Sequence, residues 1–400
     1  MAPAMGKKRI IRAHCGPLEY LRISHSFALR CSDGTFQIIY YHHGVGSGKG
    51  IRDKLFGGAF GTGVAENIQE AYASEYLKSR FLRALASSEH AFHALSLDEV
   101  RGPFSPTVWE RLPDEKSDLR QVWFPGDHSN VGGGHKDQGI ADITLAWMMD
   151  QLASIGVEFI PHILDALVQR RMDYYKSLGL NANKKAIGCG LCYCKSSNMP
   201  MLKPPFWAEK SIHQANDLVR LWSLHKIQSE SSCIHRFTLA KRRRTPRMCK
   251  KVDPSTGRDT DIYLEDTNER IHSSVRVRLA CQGLAVNDDL VWNCPPLTKL
   301  WRPRQVAADY LDPISEQAAW GPPTNQSDKI GQPSGASAAA DDRTRWVWEY
   351  AGPDVGKPPT TAIVEENLGP FEKHLQKLSC GKGVLEKAAK EGFKNFKFSS

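Results

Sequence analysis

Short apolar runs alternate with amphipathic stretches along the chain, a pattern typical of strands that are joined by helices. Strands are predicted at 36–41 (FQIIYY), 121–125 (QVWFP) and 345–350 (RWVWEY), because aromatic and β-branched residues dominate these runs. The segment 270–279 (RIHSSVRVRL) alternates apolar and polar residues, which indicates a strand or an extended surface segment.

Three longer stretches have the three- and four-residue apolar spacing of helices: 64–87, a segment between Gly134 and Gly156, and 163–178. In the second stretch Asp137 is the predicted N-cap, and Gly156 is expected to end the helix. Apolar residues cover so many sides of this helix that we expect it to be mostly buried.

The stretch 121–134 (QVWFPGDHSNVGGG) places His128 in the turn between a predicted strand and a predicted helix. Open α/β sheets carry their chemistry at such turns, and a histidine there can act as a general base if a carboxylate holds its second ring nitrogen. Gly132, Gly133 and Gly134 would let the backbone approach a bound anion. The alternative is an ordinary surface histidine in a turn.

Composition supports a globular protein of one large or two smaller domains, since 41% of the 400 residues are hydrophobic, with 10 Trp and 15 Phe. The formal charge of +9 is diffuse, so nucleic acid is not an expected partner. Lys241 to Arg244, with Arg247, Lys250 and Lys251, form a run that indicates either a nuclear-import or acidic-partner patch or, by preference, a solvated loop.

Neither a signal peptide nor a membrane-spanning stretch is recognised, so a cytoplasmic location with reduced cysteines is expected. Cys189, Cys192 and Cys194, followed by Cys233 and His235, fit no common zinc pattern closely, and no metal is expected. The glycine-rich run 44–63 lacks the P-loop pattern, because His43 stands where its first glycine should be, so no nucleotide cofactor is expected.

Several blocks of the sequence resemble, in order, the α/β-hydrolase domain of type VI secretion phospholipase effectors and of many fungal proteins. The blocks span roughly 35–280, and they are YYHHGVGSG (40–48), GGAFGTGVAENIQEAY (57–72), HALSLDE (93–99), WFPGDHSNVGGG (123–134), ADITLAWMMDQL (141–152) and NERIHSSVRVRL (268–279). Two later segments, RWVWEY and VEENLGPFE, resemble the tail of the fungal members. The resemblance implies an α/β fold with a mostly parallel sheet flanked by helices, and a lipid or other ester as substrate.

Hydrolases of this kind use a serine on a G-x-S-x-G elbow, a histidine base and an acidic partner. The resemblance assigns the base to His128 and an oxyanion loop to its surroundings, which are Gly126, Ser129, Asn130, Gly132, Gly133 and Gly134. No serine of the chain has the elbow pattern: Ser47 is flanked by Val45 and Lys49, and Ser337 by Gly335 and Ala339.

The missing elbow coincides with a short interval in the chain. In the family, four elements lie between the blocks that correspond to Tyr72 and His93: a helix end, a buried strand, the elbow and a strand with a V-W-D-T-V-like segment. In this chain only twenty residues separate Tyr72 from His93, which is too few for all four elements. At least two central strands are therefore expected to be absent. If the acid of the family's triad lies in the V-W-D-T-V-like segment, this chain lacks it. If it lies in the L-D-E block, Asp98 is the candidate, and the alternative role of Asp98 is to cap a turn.

We expect five regions: a degraded N-terminal segment (1–35), an α/β-hydrolase-like domain (36–280), a domain edge (281–312), a disordered linker (313–344) and a C-terminal strand with a basic tail (345–400). Three functions stay open. They are an inactive relative of the lipases and esterases, an active hydrolase with an unrecognised nucleophile, and a basic module that binds anionic membrane or nucleic acid.

Overall fold

The fold was obtained as a computed structural model. It describes residues 9–12, 37–40, 90–100, 106–157, 162–181, 221–228, 244–286, 290–307 and 344–379, apart from a few single positions within these ranges. The predicted helix at 64–87, the linker at 313–343, the lysines beyond 380 and the cysteines near 190 lie outside the described residues.

A six-stranded sheet organises the described part of the chain. Its strands, in spatial order, are β3 (His90–Ser96), β4 (Asp118–Phe124), β7 (Glu269–His272), β10 (Ala362–Glu366), β9 (Thr344–Tyr350) and β8 (Trp301–Ala307). The first four strands are parallel, and β9 and β8 are antiparallel to their neighbours. Two pairs of strands stand outside this sheet: β1 (Arg9–Arg12) with β2 (Gln37–Tyr40), and β5 (Lys250–Val252) with β6 (Asp259–Tyr263).

Helices flank the sheet. They are α1 (His128–Gly132), α2 (Ala141–Ser154), α3 (Ile163–Asn181), α4 (Ser273–Ala280), α5 (Pro295–Thr298) and α6 (Pro370–Leu378), and a 3₁₀ turn covers Trp222–Leu224. The predicted α/β class, with a mostly parallel sheet between helices, is confirmed. β3 has one strand neighbour among the described residues, and the expected loss of strands before it stays a prediction.

Successive side chains of β4 point to opposite faces of the sheet, and the core therefore has two layers. Val122 and Phe124 pack with Ile143 and Trp147 of α2, while Trp123 points to the opposite face. On that second face lie the apolar side chains of β3, β7, β8, β9 and β10, among them Leu95, Ile271, Trp301, Trp348 and Ile363. Burial on both faces explains why β4 ends in three consecutive apolar residues, Val122, Trp123 and Phe124.

Helix α2 confirms one prediction and corrects another. It is mostly buried, as expected, and the chain leaves it at Gly156, whose φ of 86° suits a glycine. Asp137 is not its N-cap: the helix begins after Ile140, and the Asp137 carboxylate instead accepts hydrogen bonds from Gly139 N–H and the Tyr175 hydroxyl.

The prediction of a strand or surface segment at 270–279 is wrong for its second half. After β7 the chain enters α4, because the His272 side chain caps the helix by accepting from Ser274 N–H at 3.1 Å. Arg278 is fully buried and donates to the Ser223 and His225 carbonyls. The prediction counts Arg278 as an exposed polar residue although it is buried, and for this reason the apolar and polar residues of 273–279 alternate as in a strand.

Strands also extend beyond the predicted domain edge. The strand predicted at 345–350 is confirmed as β9, while β10 and α6 follow it unpredicted. All five residues of β10 are buried, between β7 and β9. β9 and β10 are therefore part of the same sheet as β4 and β7, and α6 follows them.

Candidate functional site at the end of strand β4

The loop after β4 holds the predicted histidine. The strand ends at Phe124, and the half-buried His128 is the first residue of α1. The helix predicted after Gly134 is α2, whereas the turn predicted around His128 contains a further, unpredicted helix of five residues, α1, which includes the first of the three glycines, Gly132. Asp127 starts α1, because its carboxylate caps the helix by accepting from Asn130 N–H at 3.0 Å.

Gly126 is the residue that shapes the turn. Its φ is +100°, and a Cβ placed on it would lie 2.5 Å from the Cβ of Asn130. An L-residue would therefore be strained by both its backbone conformation and its contact with Asn130. Gly133 and Gly134, with φ of 87° and 121°, end α1 in the same way. The glycines thus permit the chain to leave β4 at Phe124, form α1 and leave that helix by Gly134.

Asn130 fastens the loop to a distant segment. Its side-chain amide donates to Asp127 Oδ1 and to the Gln228 carbonyl, both at 2.7 Å, and its oxygen accepts from Gln228 N–H at 3.0 Å. Asn130 and the neighbouring Ser129 are both buried. Asn130 lies in the predicted oxyanion region, and its side chain also holds the loop against the segment around Gln228.

Two buried carboxylates at the end of β3 contact this loop. Asp98 accepts from Gly126 N–H at 2.8 Å and from the Trp292 indole N–H at 3.0 Å, and its own N–H donates to the Gly126 carbonyl. Glu99 accepts from the His128 backbone N–H at 3.1 Å. The carboxyl ends of β3 and β4 therefore bring Asp98, Glu99 and His128 into one region, as expected for adjacent parallel strands.

These contacts give Asp98 a structural role. Its carboxylate is an acceptor for two donors that would otherwise be buried without one, and it fixes the turn that leads to His128. Sequence reasoning missed Glu99, Gln228 and Trp292, because nothing local in the sequence signals contacts across 29, 98 and 194 positions. The triad role predicted for Asp98 and His128 stays a prediction.

A second group of polar side chains lies at the carboxyl end of β7. The His272 Nδ1 accepts from the Ser274 hydroxyl at 2.6 Å, and its Nε2 lies 2.5 Å from Glu372 Oε1. All three side chains are at most 1% exposed. Because Nδ1 also accepts from Ser274 N–H, the neutral ring carries its proton on Nε2 and donates it to Glu372. Burial lowers the pKa of His272 to about 4 and raises that of Glu372 to about 8.

The basic run near 241–251 is not a continuous solvated patch. Arg247 is 4% exposed, and its guanidinium donates to the Thr267 hydroxyl and the Glu269 carbonyl. Lys250 pairs with Asp261 and Lys251 with Glu110. The inclusion of Arg247 in a surface patch is therefore wrong, because its guanidinium is buried and donates hydrogen bonds inside the fold. Residues 241–243 lie outside the described ones.

Comparison with known proteins adds to this geometry. Residues 75–151 match the catalytic domain of the T6SS phospholipase effector Tle1-like family. The resemblance read from the sequence is confirmed over this segment, which contains β3, β4, α1 and most of α2, and with them Asp98 and His128.

One curated relative is an uncharacterized protein of Saccharomyces cerevisiae. It is 41% identical over 70 residues, which make up 16% of this chain and 10% of that protein, so the chain spans about a tenth of its length. No solved structure matches the chain significantly.

No described helix is long and apolar enough to cross a membrane. The described residues also contain no group of three or more His, Cys, Asp or Glu side chains that could hold a metal ion.

Proposed function

We propose that the chain is a non-hydrolytic relative of the phospholipase effector-like α/β-hydrolases, which retains the histidine-bearing loop of a lipid or ester hydrolase without its nucleophile. The observation that carries this proposal is the lack of a G-x-S-x-G motif in all 400 residues. Removal of the nucleophile from a serine triad costs on the order of a millionfold in turnover.

The contacts of the loop support the same proposal. Asp98, the candidate acid, is engaged by Gly126 and Trp292. The His128 backbone is fixed by Glu99. These contacts hold the loop in place without any contribution from a catalytic serine. Binding of a lipid headgroup or an ester to this loop would require the shape of the loop but not a serine that attacks the ester.

Hydrolysis assays test the proposal. The purified full chain is compared with His128→Ala and with a family member that carries G-x-S-x-G, on a p-nitrophenyl ester and on phospholipid vesicles. We expect the chain and His128→Ala to share the same background rate, while the family member turns over. Turnover by the chain that disappears in His128→Ala would show that the proposal is wrong.

One observation favours a second candidate, an active ester hydrolase with another nucleophile. Ser274, His272 and Glu372 form a hydrogen-bonded serine–histidine–carboxylate chain. Ser274 is 0% exposed, however, so no ester carbonyl can reach its hydroxyl in this structure. Labelling of Ser274 by a fluorophosphonate, located by peptide mass spectrometry, would favour this candidate over the first.

A further inference from the structure

Helix α6 is attached to the rest of the fold through buried acidic groups. Asp150 of α2, Glu366 of β10 and Glu372 of α6 itself are 8%, 3% and 1% exposed, and His272 of β7 faces Glu372. We call these four residues the acid latch. Neither the histidine-bearing loop nor the family match accounts for them, since all but Asp150 lie outside the matched segment.

The N-terminus of α6 is built around the Asp150 carboxylate. Its two oxygens accept from Phe371 N–H at 2.9 Å and from Glu372 N–H at 3.0 Å. Glu372 in turn accepts from Gly369 N–H at 3.0 Å and contacts His272. A Cβ on Gly369 would lie 2.2 Å from the Asp150 carboxyl carbon, so the approach of α2 to α6 requires glycine there.

Carboxyl groups outnumber cations inside this contact. Glu366 Oε1 accepts from the Trp147 indole at 3.3 Å, while Glu366 Oε2 is buried without a hydrogen-bond partner among the described residues, with Arg270 at 3.6 Å. Other charged or titratable groups on the packed elements include Glu365 with Arg276, Asp142 with Arg171, Asp165 with His374, Lys373 and Lys377 of α6, and Glu269 of β7.

These other groups do not neutralise the latch, because six of them are already matched in pairs. If Asp150, Glu366 and Glu372 were all ionised, Arg270 and the adjacent Lys373 would face three buried negative charges. A buried carboxyl group whose charge is not matched by a described cation binds a proton instead.

We propose that helix α6 is held on α2 and β7 by a proton-dependent latch, Asp150, Glu366, Glu372 and His272, which loosens as its carboxyl groups release protons to solvent. The inference is independent of the proposed function. It concerns the docking of a C-terminal element and needs no activity of the histidine-bearing loop.

The pKa values have the sign that this mechanism requires. Burial raises the pKa of Asp150 and of Glu366 to about 7 and that of Glu372 to about 8, from the ordinary values of 3.8 for Asp and 4.5 for Glu. The docked state thus holds protons that the undocked state releases, so docking weakens as the pH rises through 7 and 8. His272, lowered to about 4, acts in the opposite direction but only below about pH 6.5.

Hydrogen exchange of the peptides from 370–379 in the full chain tests the latch. Protection is measured at pH 6.5 and 8.5 and corrected for intrinsic exchange. In the wild type we expect the opening equilibrium constant to rise on the order of a hundredfold over this range. In Glu366→Gln, which keeps the oxygen that accepts from Trp147, the rise should be smaller by about fourfold, because one carboxyl group with a pKa of about 7 no longer titrates.

Asp354→Asn is the matched control, because the Asp354 side chain is 99% exposed; it should behave as the wild type. A pH-independent opening constant in the wild type overturns the latch, and so does an unchanged rise in a folded Glu366→Gln. If Glu366→Gln does not fold, the number of protons released when the wild type unfolds at about pH 7.5 tests the latch instead. It is obtained from the difference between the calorimetric unfolding enthalpies in phosphate and in Tris, two buffers with different ionisation enthalpies. Release of about one proton or more supports the latch, and release of none overturns it.

Discussion

Asp98 offers the sharpest test of how the histidine-bearing loop is held. Asp98→Ala removes the acceptor of the Gly126 N–H and of the Trp292 indole N–H, and both donors stay buried. Each unpaired buried donor costs about 1–3 kcal/mol, so we expect a loss of about 2–6 kcal/mol in the free energy of unfolding. Asp98→Asn keeps the shape and one acceptor, and should lose about 1–3 kcal/mol.

Urea denaturation followed by tryptophan fluorescence measures both variants, and Asp354→Ala, on an exposed loop, serves as the control with a change within about 0.5 kcal/mol. A double-mutant cycle with Trp292→Phe isolates the indole contact, for which we expect a coupling of about 1–3 kcal/mol, as for a hydrogen bond to a charged group. Wild-type stability of Asp98→Ala would refute the structural role. It would leave Asp98 to be explained as a catalytic acid.

Three further predictions concern single positions. Gly126→Ala should destabilise the chain by more than about 1 kcal/mol, because φ is +100° and the new Cβ meets Asn130; a neutral urea midpoint would contradict this. Asn130→Ala should cost about 2–4 kcal/mol and raise hydrogen exchange at Gln228 N–H, whereas unchanged exchange there would exclude the proposed fastening. Arg247→Met should lower stability by about 2–4 kcal/mol without altering sedimentation with anionic vesicles, and a selective loss of vesicle binding would restore the surface-patch interpretation.

Local patterns predicted those elements in which burial and sequence period agree. The apolar run of β4 and the wide apolar surface of α2 are visible directly in the sequence. The order of strand, glycine turn and histidine also placed His128 at the carboxyl end of a parallel strand.

The elements that sequence reasoning missed contain polar residues at buried positions. β10 reads AIVEE, with Glu365 and Glu366 inside the fold, and Arg278 is buried in α4. Glu365 pairs with Arg276, 89 positions away, and Arg278 donates to backbone carbonyls, and no local period reveals these contacts. For the same reason the sequence could name His128 and Asp98 but could not predict that Trp292 would engage Asp98.

Stoichiometric reaction with a fluorophosphonate is the most direct test of the central claim that this hydrolase-like loop lacks its nucleophile. The full chain and His128→Ala are incubated with the probe, and intact mass spectrometry counts the covalent adducts, with a G-x-S-x-G-bearing family member as the positive control. We predict no adduct on the chain under conditions that label the control completely. One adduct per chain on a single serine, lost in His128→Ala, would contradict the account.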